Sequence, residues 1–218
     1  MYLDLAAIPK YLPYFIPAAW MTLKVTTFGI LLGVILGLGT AFLRISEKKI
    51  FNIPARAYIY IIRGTPLLLQ LLFIYFGLRS VAGLSALSSA VLALGIHNGA
   101  YIAEIFRGAI VSISSGQMEA ARSLGMPYTR AMIRVILPQA LKRAIPALGN
   151  QFIIALKDSS LASTITINEL LLKSQQLASS NFMMMEMLLT AALFYLFYTA
   201  LFNWLFHILE ARLDVSSA

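Results

Sequence analysis

Ionisable and hydrogen-bonding side chains interrupt several long apolar segments of this chain, where such groups are costly and by default functional. They comprise two acids, two cations and three neutral groups: Glu104, Asp158, Arg63, Lys157, Asn98, Tyr101 and Thr65. A site with both signs of charge and neutral hydrogen-bonding groups could bind a small polar solute. The alternative is that the charges pair with each other, for example Arg63 with Glu104.

Covalent catalysis and metal chemistry are not indicated by the residue pattern. The chain has no Cys, its two His lie on separate apolar segments, and it contains no G-x-S-x-G. The three consecutive methionines at 183–185 are more typical of packing than of a metal site. We therefore expect neither an enzyme nor a metal centre.

The composition predicts one membrane-embedded domain over residues 1–218. Hydrophobic residues make up 60% and charged residues 12% of the chain, and the mean hydropathy is +0.81. This charged fraction is about half that of a soluble globular domain. The net charge of +8 could suggest nucleic acid, but in a membrane protein the position of the charges matters more than their total.

Five segments are apolar enough to cross a bilayer as helices, which needs about 20 residues each. They cover residues 19–43, 57–78, 87–111, 144–161 and 184–209, and the fourth is the least apolar. Before them, Pro9, Pro13 and Pro17 predict a broken segment at the membrane interface, because proline breaks helices. The start also lacks the pattern of a cleavable signal peptide. The sequence thus predicts an all-α membrane protein with about five transmembrane helices.

The distribution of Lys and Arg predicts the orientation. Most of them fall in the connection after the first span, in the long central connection and in the C-terminal tail, whereas the opposite side has only Lys10, Arg79 and Lys173. Since cytoplasmic loops carry the excess of positive charge, we expect the N-terminus outside and the C-terminus inside.

Patterns within the first three spans indicate how the polar groups are positioned. Intervals of four, three and four residues predict one polar stripe on the third span: His97, Tyr101, Glu104 and Gly108. In the second span, Pro66 should free backbone carbonyls, and such broken helices are common at transporter substrate sites. In the first, glycines at 29, 33 and 37 have a spacing that allows close helix approach, although glycine is also simply tolerated in membrane helices.

The central connection, residues 112–143, contains two helical patterns. Residues 117–124 are strong helix formers, with Glu119 in the first turn, where the helix dipole favours an acid. Gly125 suits the left-handed position that ends a helix, Pro127 suits the start of the next helix, and Pro138 should end it. The first helix also has an apolar side suited to docking in a groove of another protein: Met118, Ala121, Leu124 and Met126.

This connection resembles the EAA loop of ABC-transporter permeases, EAA-x3-G-x9-I-x-L-P. The matching residues are Glu119, Ala120, Ala121, Gly125, Leu137 and Pro138, with Val135 where isoleucine is usual. Three longer stretches, at 63–78, 101–126 and 156–170, are similar to the polar amino-acid permeases within that family. The chain is identified as a member of this branch from about Trp20 onward.

The resemblance implies a type I ABC importer in the bacterial inner membrane. In that family, two permease subunits, identical or related, form the pathway, two ATPase subunits dock on the EAA loops, and an external binding protein delivers the amino acid. The chain has no G-x-x-x-x-G-K-[ST], so ATP would be bound by the partner ATPase and the permease itself needs no cofactor. Glu119, Ala120, Ala121 and Gly125 would form the coupling element. Membrane lipid is the other expected partner, and nucleic acid is not expected.

For an amino-acid substrate, Glu104 and Asp158 could supply acids, Arg63 could meet the carboxylate, and Asn98, Tyr101 and Thr65 could supply hydrogen bonds. Two acids tilt the expected substrate slightly toward a basic amino acid. A permease for another small polar solute stays open as an alternative, and a passive channel is a weaker one.

Overall fold

The computed structural model describes residues 4–213, which are helical over most of their length. The longest helix is α1 (Ile8–Ile45), and α2 (Lys49–Arg63), α3 (Leu67–Leu72), a π-helical turn (Phe73–Leu78) and the short α4 (Arg79–Ala82) follow it. The central helix α5 (Ala86–Val111) leads to α6 (Ser115–Ser123) and α7 (Tyr128–Ala131). A second π turn (Met132–Ile136) runs into α8 (Leu137–Asp158) and a 3-10 turn (Ser159–Ile165). The chain closes with α9 (Leu170–Asn181) and α10 (Met184–Arg212).

Three helices within residues 4–213 are apolar and long enough to cross a membrane. There are four if α2 and the segment Leu67–Leu78, which is α3 with its π-helical turn, count as one bent span. The predictions for the first, third and fifth spans are confirmed by α1, α5 and α10. The second predicted span is not straight, because the chain turns by 105° between α2 and α3. The fourth, residues 144–161, is a helix only as far as Asp158 and does not pass the same test of length and hydropathy.

The prediction of a broken N-terminal segment was wrong, because α1 continues through Pro13 and Pro17. Pro9 lies in the first turn of α1, where its missing N–H is not needed. The three prolines are four residues apart, so they share one exposed face, while Phe15 and Ala18 are buried against α9 and α10. Packing of this opposite face compensates for the two lost backbone hydrogen bonds.

Helices α1 and α5 pack side by side along a seam of glycines. A Cβ atom added at Gly29, Gly33 or Gly37 would lie 2.8, 3.2 or 2.6 Å from a side chain of α5. In return, a Cβ at Gly95 would lie 2.6 Å from Leu32, and one at Gly99 would lie 3.1 Å from Leu36. The predicted close approach at the three glycines of the first span is therefore confirmed, and α5 contributes glycines of its own.

Helix α5 is the centre of the bundle. In its most apolar window 61% of the residues are buried, whereas in α1 and α10 the figure is 22%. Two apolar clusters surround it. In one, α1, α3 and residues 159–167 meet its N-terminal half, and in the other, α1, the π turn at Met132–Ile136 and α8 meet its C-terminal half. The position of α5 is thus fixed by several neighbouring helices at once.

Candidate functional site

The break between α2 and α3 is built by Gly64, Thr65 and Pro66. Pro66 has no N–H, so the carbonyl of Ile62, four residues earlier, loses its helical partner. The amide of Gln70 replaces it, because its Nε2 donates to Ile62 O at 2.8 Å and to Thr65 Oγ1 at 2.8 Å. The Thr65 hydroxyl in turn donates to Ile61 O at 2.9 Å. The prediction that Pro66 frees carbonyls is confirmed, and side chains of the same segment satisfy them.

The polar stripe predicted on α5 faces this break. His97 Nδ1 lies 3.1 Å from Gln70 Oε1, and the His97 ring lies 5.1 Å from the ring of Tyr101. The guanidinium of Arg63, the last residue of α2, lies over the Tyr101 ring at 5.0 Å from its centroid. A cation at this distance from an aromatic face is attracted to it. The end of α2, the start of α3 and one face of α5 are therefore held together by polar contacts.

An open cleft of about 580 Å³ lies beside these residues. It is lined by residues of α1, α2 and α5 and by the break: Arg44, Arg56, Ile59, Tyr60, Arg63, Gly64, Tyr101 and Glu104. Of the predicted site residues, Arg63, Tyr101 and Glu104 meet here. Arg44 and Arg56 also line it, although the sequence places them in a loop. No sequence signal links them to the polar stripe of α5. They reach the cleft only because α1 and α2 pack beside α5.

The alternative, that the charges pair with each other, holds for Glu104, but its partner is not Arg63. Arg107 donates to Glu104 Oε2, with Nη2 at 2.8 Å and Nε at 2.9 Å. Arg44 Nε lies 3.9 Å from Glu104 Oε1. Arg107 is one helical turn from Glu104 on α5, so the pair needs no tertiary contact, and Arg63 is left over the ring of Tyr101.

Asn98 and Thr65 are placed outside the cleft lining. Asn98 is fully buried next to Gly33, and its amide is paired on both sides. Its Nδ2 donates to Leu94 O at 2.8 Å, and its Oδ1 accepts from Gln151 Nε2 of α8 at 2.8 Å. The Thr65 hydroxyl is likewise occupied within the break. Both residues fall in polar stretches, but the sequence could not show which partners would take their hydrogen bonds.

Asp158 lies at a different level from Glu104. The Asn98–Gln151 hydrogen bond marks where α5 and α8 meet, and the C-terminal half of α5 packs against the N-terminal half of α8. Glu104 and Asp158 lie on opposite sides of that level, which at 1.5 Å per residue separates them by about 20 Å along the helix axes. The two acids therefore do not line one cleft, contrary to the expectation that they act together.

A buried acid that the sequence interpretation missed is Glu169, just before α9. It is fully buried and caps this helix by accepting from the backbone N–H groups of Leu171 and Leu172 at 2.8 Å. The hydroxyl of Tyr195 donates to it at 2.7 Å. Burial raises the pKa of Glu169, and the hydrogen bonds from the backbone and Tyr195 oppose that rise. It caps α9 and is not among the residues that line the cleft, which indicates a structural role.

The central connection folds as a short helix, a tight turn and a longer helix. Gly125 has φ of +84°, and the N–H of Met126 donates to Ala121 O at 3.2 Å. This is the Schellman arrangement that ends a helix at a left-handed glycine, so the prediction for Gly125 is confirmed. The ends of the connection are also tied, because Arg143 Nη1 donates to Ser112 O at 2.6 Å.

Three details of this connection differ from the prediction. Helix α6 begins at Ser115, so Glu119 lies in its second turn. Pro138 does not end a helix, because the π turn at Met132–Ile136 carries the chain past it into α8. Part of the apolar side of α6 packs within the chain. Ala121 is buried, and Met118 packs against the apolar cluster at the C-terminal half of α5. Glu119, Ala120 and Leu124 are exposed instead.

Comparison with known proteins finds relatives over nearly the whole chain. Residues 29–215 match the family described as binding-protein-dependent transport system inner membrane component. The glutamine transport system permease protein GlnP of Escherichia coli (strain K12) is 38% identical over 218 residues, covering 99% of this chain and 100% of that protein. The probable amino-acid ABC transporter permease protein PatM of Vibrio harveyi is 40% identical over 190 residues, or 85% of each chain.

Solved structures agree with these relatives. A chain from a crystal structure of an amino acid ABC transporter with histidines is 42% identical, with a TM-score of 0.89 over 97% of this chain and 100% of that one. A chain of the inward-facing MetNI methionine ABC transporter, at 20% identity and a TM-score of 0.81, shares the fold. These relatives are permease subunits of ABC transporters in which separate ATPase subunits hydrolyse ATP. The chain therefore belongs to the binding-protein-dependent transport system inner membrane component family, as a permease subunit of an amino-acid ABC transporter of the bacterial inner membrane.

Proposed function

We propose that this permease carries a polar amino acid through the cleft beside α5, and that it is driven by an ATPase bound to residues 112–143. The observation that carries the proposal is the cleft itself, because groups of both charges line it. Arg63 and Arg56 offer guanidinium groups to a carboxylate, and Glu104 offers a carboxylate to an ammonium group. A zwitterionic solute satisfies both.

The substrate side chain determines which polar amino acid is carried. Relatives are named for glutamine transport, and one solved relative is described with histidines. A basic side chain, which the sequence favours slightly, would have only Glu104 as its acid, because Asp158 does not line the cleft. Glu104 is already paired with Arg107, so the cleft adds little to the preference for a basic amino acid. A polar amino acid is therefore the proposed class, with the basic ones as its first members to be tested. Another small polar solute is the alternative.

The proposed coupling element is the exposed side of α6, namely Glu119 and Ala120, held in place by buried Ala121 and by the turn at Gly125. ATP would be bound by the ATPase alone, so the permease would carry no cofactor. With residues 112–143 on the cytoplasmic side, the N-terminus lies outside and the C-terminus inside. The exposed apolar residues of α2 and α3 suit a second permease subunit or lipid, as expected for a pathway formed between two permeases.

Calorimetric binding of a panel of amino acids to the purified permease–ATPase complex tests the cleft. Glu104→Gln should lose binding by about tenfold or more, because a charged hydrogen-bonding partner is removed. Asp158→Asn is the matched control and should bind like the wild type. Equal loss in both variants, or binding that survives Glu104→Gln, would contradict the assignment.

Copurification tests the coupling loop. Gly125→Ala places a side chain at φ +84°, which strains the turn by about 1–2 kcal/mol and should weaken ATPase association by about tenfold. Gly116→Ala, in the helix that this turn ends, has no positive φ and would meet only Ser114 Oγ at 3.6 Å, so it should have no effect. If both variants keep the ATPase equally well, the turn does not set the docking surface.

A further inference from the structure

The geometry points to Gln70 and His97 as a latch that positions Arg63 and Tyr101 in the cleft without contacting the substrate. The inference rests on the proposed cleft as the substrate site. It concerns residues behind the cleft lining, because neither Gln70 nor His97 is among the described residues that line the cavity.

The first half of the latch is the amide nitrogen of Gln70. It donates to Ile62 O and Thr65 Oγ1, both at 2.8 Å, and lies 3.1 Å from Thr65 O. These acceptors all belong to the last turn of α2 and to the break, whereas Gln70 itself belongs to α3. The Gln70 side chain therefore holds the 105° bend by hydrogen bonds from α3 back to the end of α2.

The second half is the contact with α5. Because acceptors surround Gln70 Nε2, the amide orientation is set and Oε1 must face His97. His97 Nδ1, at 3.1 Å, must then be the donor, which selects the Nδ1–H tautomer. The bend of the α2–α3 pair is thereby tied to one face of α5.

The contacts form a closed circuit of four residues. His97 packs on Tyr101, Tyr101 carries the guanidinium of Arg63, and Arg63 is one residue before the break that Gln70 holds. Two residues of this circuit, Arg63 and Tyr101, line the cleft. Loss of the Gln70 amide would release the last turn of α2, and Arg63 would no longer be held over Tyr101.

The test is amino-acid binding by calorimetry on the permease–ATPase complex, with basal ATP hydrolysis measured alongside. Gln70→Met keeps the length of the side chain but removes its hydrogen bonds, and His97→Phe keeps the ring but removes the donor. Each variant should raise Kd by about tenfold while basal ATP hydrolysis stays near the wild-type rate. Since the two residues act as one unit, the double variant should bind no more weakly than either single one. Gln176→Met, at an exposed glutamine of α9, is the control and should bind like the wild type.

The outcomes separate the latch from the proposed site. If the wild-type complex binds none of the amino acids, the proposed cleft function fails first. If the wild type binds and Gln70→Met leaves Kd unchanged, or if the two losses add in the double variant, the latch is overturned. A fall in basal ATP hydrolysis equal to the loss of binding would also overturn it, because it would indicate general misfolding. Should Gln70→Met fail to assemble, His97→Phe carries the same comparison.

Discussion

The two faces of α5 differ in how they are held. On one face, Gly95 and Gly99 bring the backbone against α1, and a methyl group at Gly95 would already clash at 2.6 Å. On the other face, His97 contacts Gln70 of α3 at 3.1 Å and Tyr101 contacts the guanidinium of Arg63 of α2 at 5.0 Å. An open cleft lies beside these contacts. The first face leaves no room for adjustment, whereas the second depends on a few polar contacts.

This difference suggests a division of labour within a single helix. A backbone seam cannot slide without large clashes, so α1 and α5 should move as one body. Side-chain contacts each contribute only about 1 kcal/mol and can be exchanged for others, so the α2–α3 break is the side on which the cleft can change shape. Substitutions on the first face should therefore prevent assembly, whereas those on the second should change binding.

The largest effect is expected in the seam. Gly37→Val would place Cβ 2.6 Å from Ile102 Cγ2 and 3.0 Å from the backbone nitrogen of Ala103, and backbone atoms cannot move aside. Overpacking costs about 1–3 kcal/mol even where side chains can shift, so little folded complex should be recovered. Gly39→Val, two residues on and with no atom within 4 Å, should assemble normally. Similar yields from both variants would show that the seam is not tight.

A middle-sized effect is expected at Asn98, which lies between the two faces. Asn98→Ala leaves buried Gln151 without its 2.8 Å partner, which should destabilise the complex by about 1–3 kcal/mol in a thermal unfolding assay. Amino-acid binding should stay near wild type, because the amide is paired within the bundle. Loss of binding with unchanged thermal stability would instead assign Asn98 to the substrate.

Local signals in the sequence were enough for the rigid parts. Gly125 and Pro127 determine the turn of the central connection through their own backbone preferences, and the glycine spacing of the first span determines the seam. The polar stripe of α5 followed from helical periodicity alone. The prolines of α1 misled for the opposite reason, since tertiary packing of Phe15 and Ala18 overrides a local preference.

The cleft was only partly predictable, because its members come from three helices and their pairing depends on competition between partners. Two cations could pair with Glu104, Arg107 one turn away on the same helix and Arg63 on a neighbouring helix. The ion pair forms with the nearer one, Arg107. Gln70 carried a weak signal, a lone amide four residues after Pro66 in an apolar run, and its role became clear only with the 105° bend. Asp158 and Glu104 were grouped by residue type, and helix geometry separates them.

The smallest effect is expected on the cleft face itself, at Tyr101. Tyr101→Leu removes the ring beneath Arg63, and a cation–π contact at a partly exposed site is worth about 0.5–2 kcal/mol, so Kd for the amino acid should rise by about three- to thirty-fold. Tyr101→Phe keeps the ring, so it should bind nearly as well as the wild type and keep the wild-type thermal stability. If Tyr101→Phe is as weak as Tyr101→Leu, the phenol hydroxyl contacts the substrate directly. Tyr101 would then act by hydrogen bonding, and the position of Arg63 would have to be set by Gln70 and the break alone.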